Sequence, residues 1–463
     1  MTRSRFRMPT AYTILFLLIL AVAGATWLIP AGSYEYDAAG LPIAGTYHSV
    51  PASPAGVGEI LKASFQGFYD AVDVCVFILM VGGFLGVVMK TGAVDAGVSG
   101  IIRALNGREN YLIPILMVFF GLGGSTYGMW EETMAFYPLL IPVFLAAGYD
   151  AVVGISVILL GAGAGIIGST VNPFATGIAS GFAGVSLGEG LLLRLLMWVV
   201  FESAAIWFVM AYAARVRRDP TASVVGVGAG KLHVSAAEET PMTTRRAWIL
   251  LTFGLVFLVM IYGVIPFDEM GLPLPVLGWW FPELSALFLV GGIAVGLIDR
   301  MREEELVECY VAGCADLLGV AFIIGISRGI TVLMNGAHVT DTVLHWGEQA
   351  LSGSSSVAFT LLVFLLYLPL SILIPSSSGL ATLSVPILAP LGKFSGVGGA
   401  LVVTAFQTAS GLVNLLTPTA AVVMGALALG HVSYDQWFRY VWRLMLYFLV
   451  LVLLFLTVGA WLG

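Results

Sequence analysis

Charge is scarce in this chain. Asp, Glu, Lys and Arg make up only 10% of its 463 residues, against about 25% in soluble domains. So few charges cannot clothe a water-facing surface, which excludes an ordinary soluble protein. Cysteine is scarce as well: Cys75, Cys309 and Cys314 show no metal-ligand spacing and read as packing residues. The five histidines form no His-x-x-x-His pair and no Cys/His cluster, so no metal centre is expected. Gly-x-Ser-x-Gly, His-Glu-x-x-His and Gly-x-x-x-x-Gly-Lys signatures are all missing. A Ser/His intramembrane hydrolase would need a histidine deep in a span, and His338, His345 and His431 lie in an arm or at a span end. Neither an enzyme nor ATP-driven transport is expected. No bound cofactor and no nucleic-acid partner is indicated either.

What remains is apolar. Hydrophobic residues make up 59% of the chain, and the mean hydropathy is +0.98. Apolar runs of about 20 residues, long enough to cross hydrocarbon, recur along the whole length. They do not alternate apolar with polar, which excludes a transmembrane barrel. The start, Met1 to Arg7 followed by an apolar run from Ala11 to Ile29, resembles a signal peptide. Pro30-Ala31-Gly32 is a poor cleavage site, so a retained signal-anchor helix is expected.

Within this apolar background one polar pattern occurs twice. A Gly/Ser/Thr-rich kink interrupts one apolar stretch, and an Asn-bearing break follows in the next. The first copy runs from Gly123-Gly124-Ser125-Thr126-Tyr127-Gly128-Met129-Trp130-Glu131-Glu132-Thr133 to Gly168-Ser169-Thr170-Val171-Asn172-Pro173. The second runs from Pro375-Ser376-Ser377-Ser378-Gly379-Leu380-Ala381-Thr382 to Ser410-Gly411-Leu412-Val413-Asn414. Non-helical backbone at membrane depth is tolerated only where protein or a water-filled cavity surrounds it. One such pair in each half points to a secondary transporter built from inverted repeats.

The expected fold is therefore all-α and polytopic. It comprises two inverted-topology repeats with about nine transmembrane helices, two re-entrant hairpins and two broken helices. The first half covers 1–214, with a cytoplasm-entering hairpin at about 111–148 and a broken helix at about 150–187. A cytoplasmic linker, 215–246, follows. The second half covers 247–463, with an outside-entering hairpin at about 357–391 and a broken helix at about 397–430. Residues 30–66 read as an outer loop, and Asp95–Leu105 and His338–Leu351 as amphipathic arms. With the N-terminus inside, all Lys and Arg fall on the cytoplasmic side except Lys62, Arg194 and Lys393 outside and Arg328 within a span, as the positive-inside rule asks. Collinear matches support the duplication: Pro138/Pro142 with Pro386/Pro390, Val171-Asn172 with Val413-Asn414, and Asp73 with Asp316.

A broken helix exposes backbone N–H groups at one half-helix end and carbonyls at the other, so anions and cations both find partners there. Ser125, Thr126, Ser376, Ser377, Ser378 and Thr382 add hydroxyls, and Asn172 and Asn414 add amide oxygens. Oxygen ligands without thiol or imidazole suit a hard cation such as Na⁺, expected near Ser125, Asn172, Ser377 and Asn414. Against this, small Ser, Gly and Thr residues also serve close helix packing. Glu131 and Glu132 are costly at lipid depth, by about 2.5–3.5 kcal/mol each. They could hold a cationic substrate group, carry protons, or pair with Arg328, which could instead bind a substrate carboxylate through its fork. Asp73, Asp316 and Glu202 read as capping or interfacial groups.

At these residues the chain resembles the YfcC-type basic amino acid antiporter family, related to ArcD-type arginine/ornithine antiporters and DcuC-type C4-dicarboxylate carriers. The resemblance is most specific in Gly124–Thr133, Gly168–Gly177 and Pro375–Thr382. It implies an elevator-type carrier of the ion-transporter superfamily in a bacterial inner membrane, with the N-terminus cytoplasmic. It implies site groups at Ser125, Thr126, Asn172, Ser377, Thr382 and Asn414, and a homodimer on a fixed scaffold. The expected function is a secondary carrier of amino acids, basic ones such as arginine or ornithine first, by exchange or by Na⁺ or H⁺ symport. A Na⁺- or H⁺-coupled C4-dicarboxylate carrier is the alternative within transport, and a non-transporting scaffold or receptor the alternative outside it.

Overall fold

The computed structural model describes residues 11–38, 42–97, 100, 108–126, 128–186, 188–226, 241–264, 267 and 273–462. Among them the chain is helical apart from one two-stranded antiparallel ribbon, Gly32–Ser33 with His48–Ser49. The expected arm over Asp95–Leu105 lies largely outside the described residues, and Tyr127 and residues 227–240 of the central linker, Lys231 among them, lie wholly outside them.

The first part of the chain forms α1 (Ala11–Ala25), α2 (Val57–Asp70) and α3 (Val72–Lys90). Next come α4 (Leu112–Thr126), a 3₁₀ turn at Glu131–Phe136, and α5 (Tyr137–Ala146). A broken helix follows as α6 (Ala151–Ile167), a π turn at Pro173–Gly177 and α7 (Ile178–Ala183), before the long α8 (Leu191–Arg218). The second part begins with α9 (Thr244–Val264), α10 (Phe281–Asp299) and α11 (Glu303–Gly336). It continues through α12 (Thr340–Leu351), α13 (Ser356–Leu373) and α14 (Ser377–Phe394), and ends in α15 (Gly399–Asn414), α16 (Ala421–Leu429) and α17 (Tyr434–Leu462).

The helix boundaries follow from local chemistry. Asp150 caps α6 by accepting the Val153 N–H at 3.0 Å, and Ser376 caps α14 by accepting the Gly379 N–H at 3.2 Å. At α2, the Glu59 carboxylate accepts the Gly56 N–H at 3.0 Å, half of a capping box. Six described helices are long and apolar enough to cross a membrane: α3, α8, α10, α11, α13 and α17. The halves α6 and α15 fall short because the breaks divide them.

Two expectations need correction. Residues 57–66 are the start of a helix rather than an outer loop. The stretch is polar enough to look like a loop, but Ala63 on one face is buried. The ends of α2–α3 and α11 lie 246 positions apart, which pairs Asp316 with Asp70 rather than Asp73. Arg194, near the start of α8, is fully buried, and its guanidinium donates to the Thr170 carbonyl at 3.4 Å beneath the first break.

The helices divide into two packed sets. In one, α1, α2, α3, α10 and α11 lie against one another, with α9 on α10. In the other, α4 to α8 pack with α13 to α17. The sets touch through few elements, chiefly α11 on α16 and α3 on the 131–136 turn, while α12 lies against α13 and α14. Within the first set α3 and α11 approach backbone to backbone. A Cβ at Gly313 would stand 2.3 Å from the Gly82 carbonyl oxygen, the small-residue contact by which helices associate in lipid. The ribbon docks on α12: Asp341 accepts the Tyr34 N–H at 3.1 Å and the Tyr36 hydroxyl at 2.8 Å. Burial, then the bond to Glu348, raises the Tyr34 hydroxyl pKa well above its ordinary value, so it stays a donor.

Candidate functional site

The two kinks and the two breaks meet around one cavity of about 270 Å³. Its wall takes Gly128, Trp130, Glu131 and Glu132 from the first kink, and Asn172 and Ala175 from the first break. Pro375 to Ser378 come from the second kink, and Asn414 and Thr419 to Val422 from the second break. The other helix set closes it with Asp70, Asp73 and Val74 from the α2–α3 junction, Ser327 and Arg328 from α11, and Trp279, Trp280, Phe281 and Leu284 at the start of α10.

Each kink has a physical cause. α4 stops at Thr126, and Gly128 turns the chain at φ +81, a left-handed conformation open to glycine. A Cβ there would also stand 2.5 Å from the Asn172 Oδ1, so the bare glycine lets kink and break lie against each other. Asn172 in turn accepts the Ala175 N–H at 3.2 Å, holding the first turn after the break. Ser125 is the clasp behind this contact. Its carbonyl accepts the Thr170 N–H at 2.8 Å, and its hydroxyl donates to the Gly168 carbonyl at 3.1 Å.

The second break is tied to the first by Gln407 on α15. Its Nε2 donates to the Ile166 carbonyl at 2.6 Å, and its Oε1 accepts the Thr176 hydroxyl. Ile166 lies in the last turn of α6, where carbonyls lose their regular intrahelical partners. Its carbonyl takes the Ser169 N–H at 3.3 Å and, from the other half of the chain, this amide. Sequence reasoning missed Gln407; the available signal was a lone amide inside the apolar run Ala405-Phe406-Gln407.

Seven of the expected site residues line the cavity: Glu131, Glu132, Asn172, Arg328, Ser377, Ser378 and Asn414. Three do not. Ser125 is spent on the clasp, Thr126 donates back to the Leu122 carbonyl at 2.7 Å, and Thr382 donates to the Ser378 carbonyl at 2.9 Å. Backbone bonds of this i−4 kind occupy a helical threonine without any ligand. Of the four groups expected around Na⁺, Asn172, Ser377 and Asn414 share the cavity and Ser125 sits behind it.

Asp70 was the other omission, and Asp73, read as a capping or interfacial group, borders the cavity beside it. The α2–α3 junction at Ala71 bends the chain so that both carboxylates border the cavity. Arg328 stands in the field of Glu131 first, then Asp73 and Asp70. Among the described residues no ion pair within 4.0 Å joins it to any of them. Glu132 is 5% exposed, and its carboxylate accepts the Trp130 N–H at 3.1 Å. The cavity thus holds one guanidinium and four carboxylates, contributed by both helix sets.

An apolar multi-helix chain whose broken helices surround a polar cavity defines a polytopic membrane transporter rather than an enzyme. The chain belongs to the DcuC family, described as C4-dicarboxylate anaerobic carriers, whose family model matches residues 8–460. A Haemophilus influenzae protein of uncharacterized function is 32% identical, the alignment covering 95% of this chain and 94% of that one. The Escherichia coli protein named "Putative basic amino acid antiporter YfcC" is 28% identical over 94% of this chain and 93% of its own. Among solved structures, the Alcanivorax borkumensis YdaH transporter matches with a TM-score of 0.49 at 14% identity, covering 98% of this chain and 99% of its own. Neisseria gonorrhoeae MtrF, from a class described as antimetabolite efflux pumps, matches with 0.47 at 15% identity, covering 98% and 95%.

Proposed function

We propose that the protein is a secondary carrier of basic amino acids, of the arginine or ornithine kind, working by exchange or ion symport. The observation that carries this reading is the charge pattern of the cavity: Arg328 stands among Asp70, Asp73, Glu131 and Glu132. A basic amino acid brings one carboxylate for the guanidinium fork and two cationic groups for the acids. A C4-dicarboxylate would find one partner and four acidic side chains. The dicarboxylate reading keeps one support of its own, since Arg328 and the capped N-terminus of α14 at Ser376 to Ser378 both favour an anion.

The division into two helix sets supports elevator-type movement, in which the set holding both kinks and both breaks slides against the other. Recurrence of the order kinked pair, broken helix, long helix in each half supports the duplication on which the inverted-repeat reading rests. For coupling, the amide and hydroxyl oxygens of Asn172, Ser377 and Asn414 are the candidate Na⁺ ligands, and Glu131 or Glu132 the candidate proton carriers. In proteoliposomes, Glu131→Gln is expected to abolish arginine and ornithine uptake while the protein elutes and melts like the parent. Full uptake by that variant would remove this carboxylate from the mechanism.

A further inference from the structure

A second cavity, sharing no lining residue with the first, lies between the α8 residues Ala204–Arg215 and the α17 residues Arg439–Tyr447. It measures about 570 Å³, and among the described residues no carboxylate lines it. Arg215, Arg439 and Arg443 sit on its rim with Trp207, Trp442 and Tyr447. Arg439 is held by Asp435. Arg443 lies 5.4 Å over the Trp442 ring. Among the described residues neither Arg215 nor Arg443 enters an ion pair, so two guanidinium groups face an aromatic groove uncompensated.

The surroundings say what surface the groove opens onto. Below it, Leu196 and Val199 on α8 and Val450 and Leu454 on α17 are at least half exposed, on the same helix faces as Trp207 and Tyr447. Exposed aliphatic stripes at helical spacing on a membrane protein are the surface that meets acyl chains. With 28 and 29 residues, α8 and α17 run about 42 Å, well beyond a hydrocarbon core of about 30 Å. Their arginine-bearing ends therefore reach headgroup depth, with the aromatic rings at the level where Trp and Tyr settle. The chain after α8 folds back against this end. The Ser223 hydroxyl donates to Asp150 at 2.6 Å and the Val224 N–H donates to the Tyr212 hydroxyl at 3.1 Å. That fixes one wall of the groove without using the arginines.

We propose that this groove is a binding site for an anionic glycerophospholipid. Arg215 and Arg443 hold the phosphate, Trp207, Trp442 and Tyr447 flank the glycerol level, and the acyl chains lie along the exposed stripes of α8 and α17. Basic pockets between helices at headgroup depth suit such lipids, and planar guanidinium forks suit phosphate oxygens.

The test uses the full chain, purified in a neutral detergent and depleted of lipid. Apparent melting temperature is followed while phosphatidylglycerol, phosphatidylcholine or inorganic phosphate is added. Phosphatidylglycerol should raise it in a saturable way, and the other two should not. Arg215→Gln with Arg443→Gln should weaken the phosphatidylglycerol response about fivefold per residue removed. The corresponding double Lys variant should recover most of it, which separates lost charge from lost folding. Equal shifts with phosphatidylcholine would mean a plain acyl-chain surface, and an equal shift with inorganic phosphate a free-anion site. A response unchanged in the Gln variant, or a shift that appears only as the protein dimerises, would assign the groove elsewhere. Each of these results overturns the proposal.

Discussion

Gly128 and Asn172 make a sharp test of how kink and break form one site. Gly128→Ala puts a methyl group at φ +81, which costs roughly 1–2 kcal/mol for a residue bearing a Cβ. That methyl would also stand 2.5 Å from the Asn172 Oδ1 and 2.7 Å from its Nδ2, so the amide must leave. Moving it forfeits the 3.2 Å bond from the Ala175 N–H, worth about 1 kcal/mol. The single variant should therefore lose about 2–3 kcal/mol of stability. In Asn172→Ala the bond is already gone, so adding Gly128→Ala should cost only the backbone term. The expected interaction is about 1 kcal/mol in favour of the double variant, against the few tenths typical of independent sites. The assay is thermal melting of the four purified proteins, with substrate binding measured on each. Additivity within about 0.3 kcal/mol would refute the contact on which the site geometry rests.

Three further outcomes follow from the same structure. Arg328→Gln should weaken amino acid binding by about 100-fold or more, since losing one partner of a buried charge pair costs about 3–5 kcal/mol; equilibrium dialysis with labelled arginine reads this directly. Gln407→Leu removes the amide partner of the Ile166 carbonyl and the Thr176 hydroxyl, each of which keeps a bond to Ser169, and should cost about 1–3 kcal/mol at 0.5–1.5 kcal/mol per lost bond; a melting temperature equal to the parent's would deny the brace any role. Asn172→Ala and Asn414→Ala should each lower the affinity of uptake for Na⁺. Uptake that ignores Na⁺ but follows a pH gradient would move coupling to the glutamates.

Much of this arrangement was legible in the chain itself. Polar, Gly-rich sequence at lipid depth is costly, so the kinks at Gly123–Thr133 and Pro375–Thr382 and the breaks at Asn172 and Asn414 announced themselves. The cavity gathers all four. Which hydroxyl faces it was not legible, because Ser125, Thr126 and Thr382 satisfy themselves on nearby backbone and no spacing rule separates a clasp from a ligand. Asp70 and Asp73 looked like span-end groups, since a junction at one alanine leaves no turn signature to show the bend. Gln407 was the most readable omission, as an amide inside an apolar helix seldom lacks a buried partner.

The reading of the cavity as a basic amino acid site is tested most directly by ligand-induced stabilisation of the purified protein. Arginine and ornithine at 100 times their dissociation constants should each add about 2.7 kcal/mol of apparent stability, and Arg328→Gln should abolish the effect. C4-dicarboxylates should leave the melting temperature of the parent protein unchanged. Stabilisation by a C4-dicarboxylate, with none by arginine or ornithine, would contradict the account.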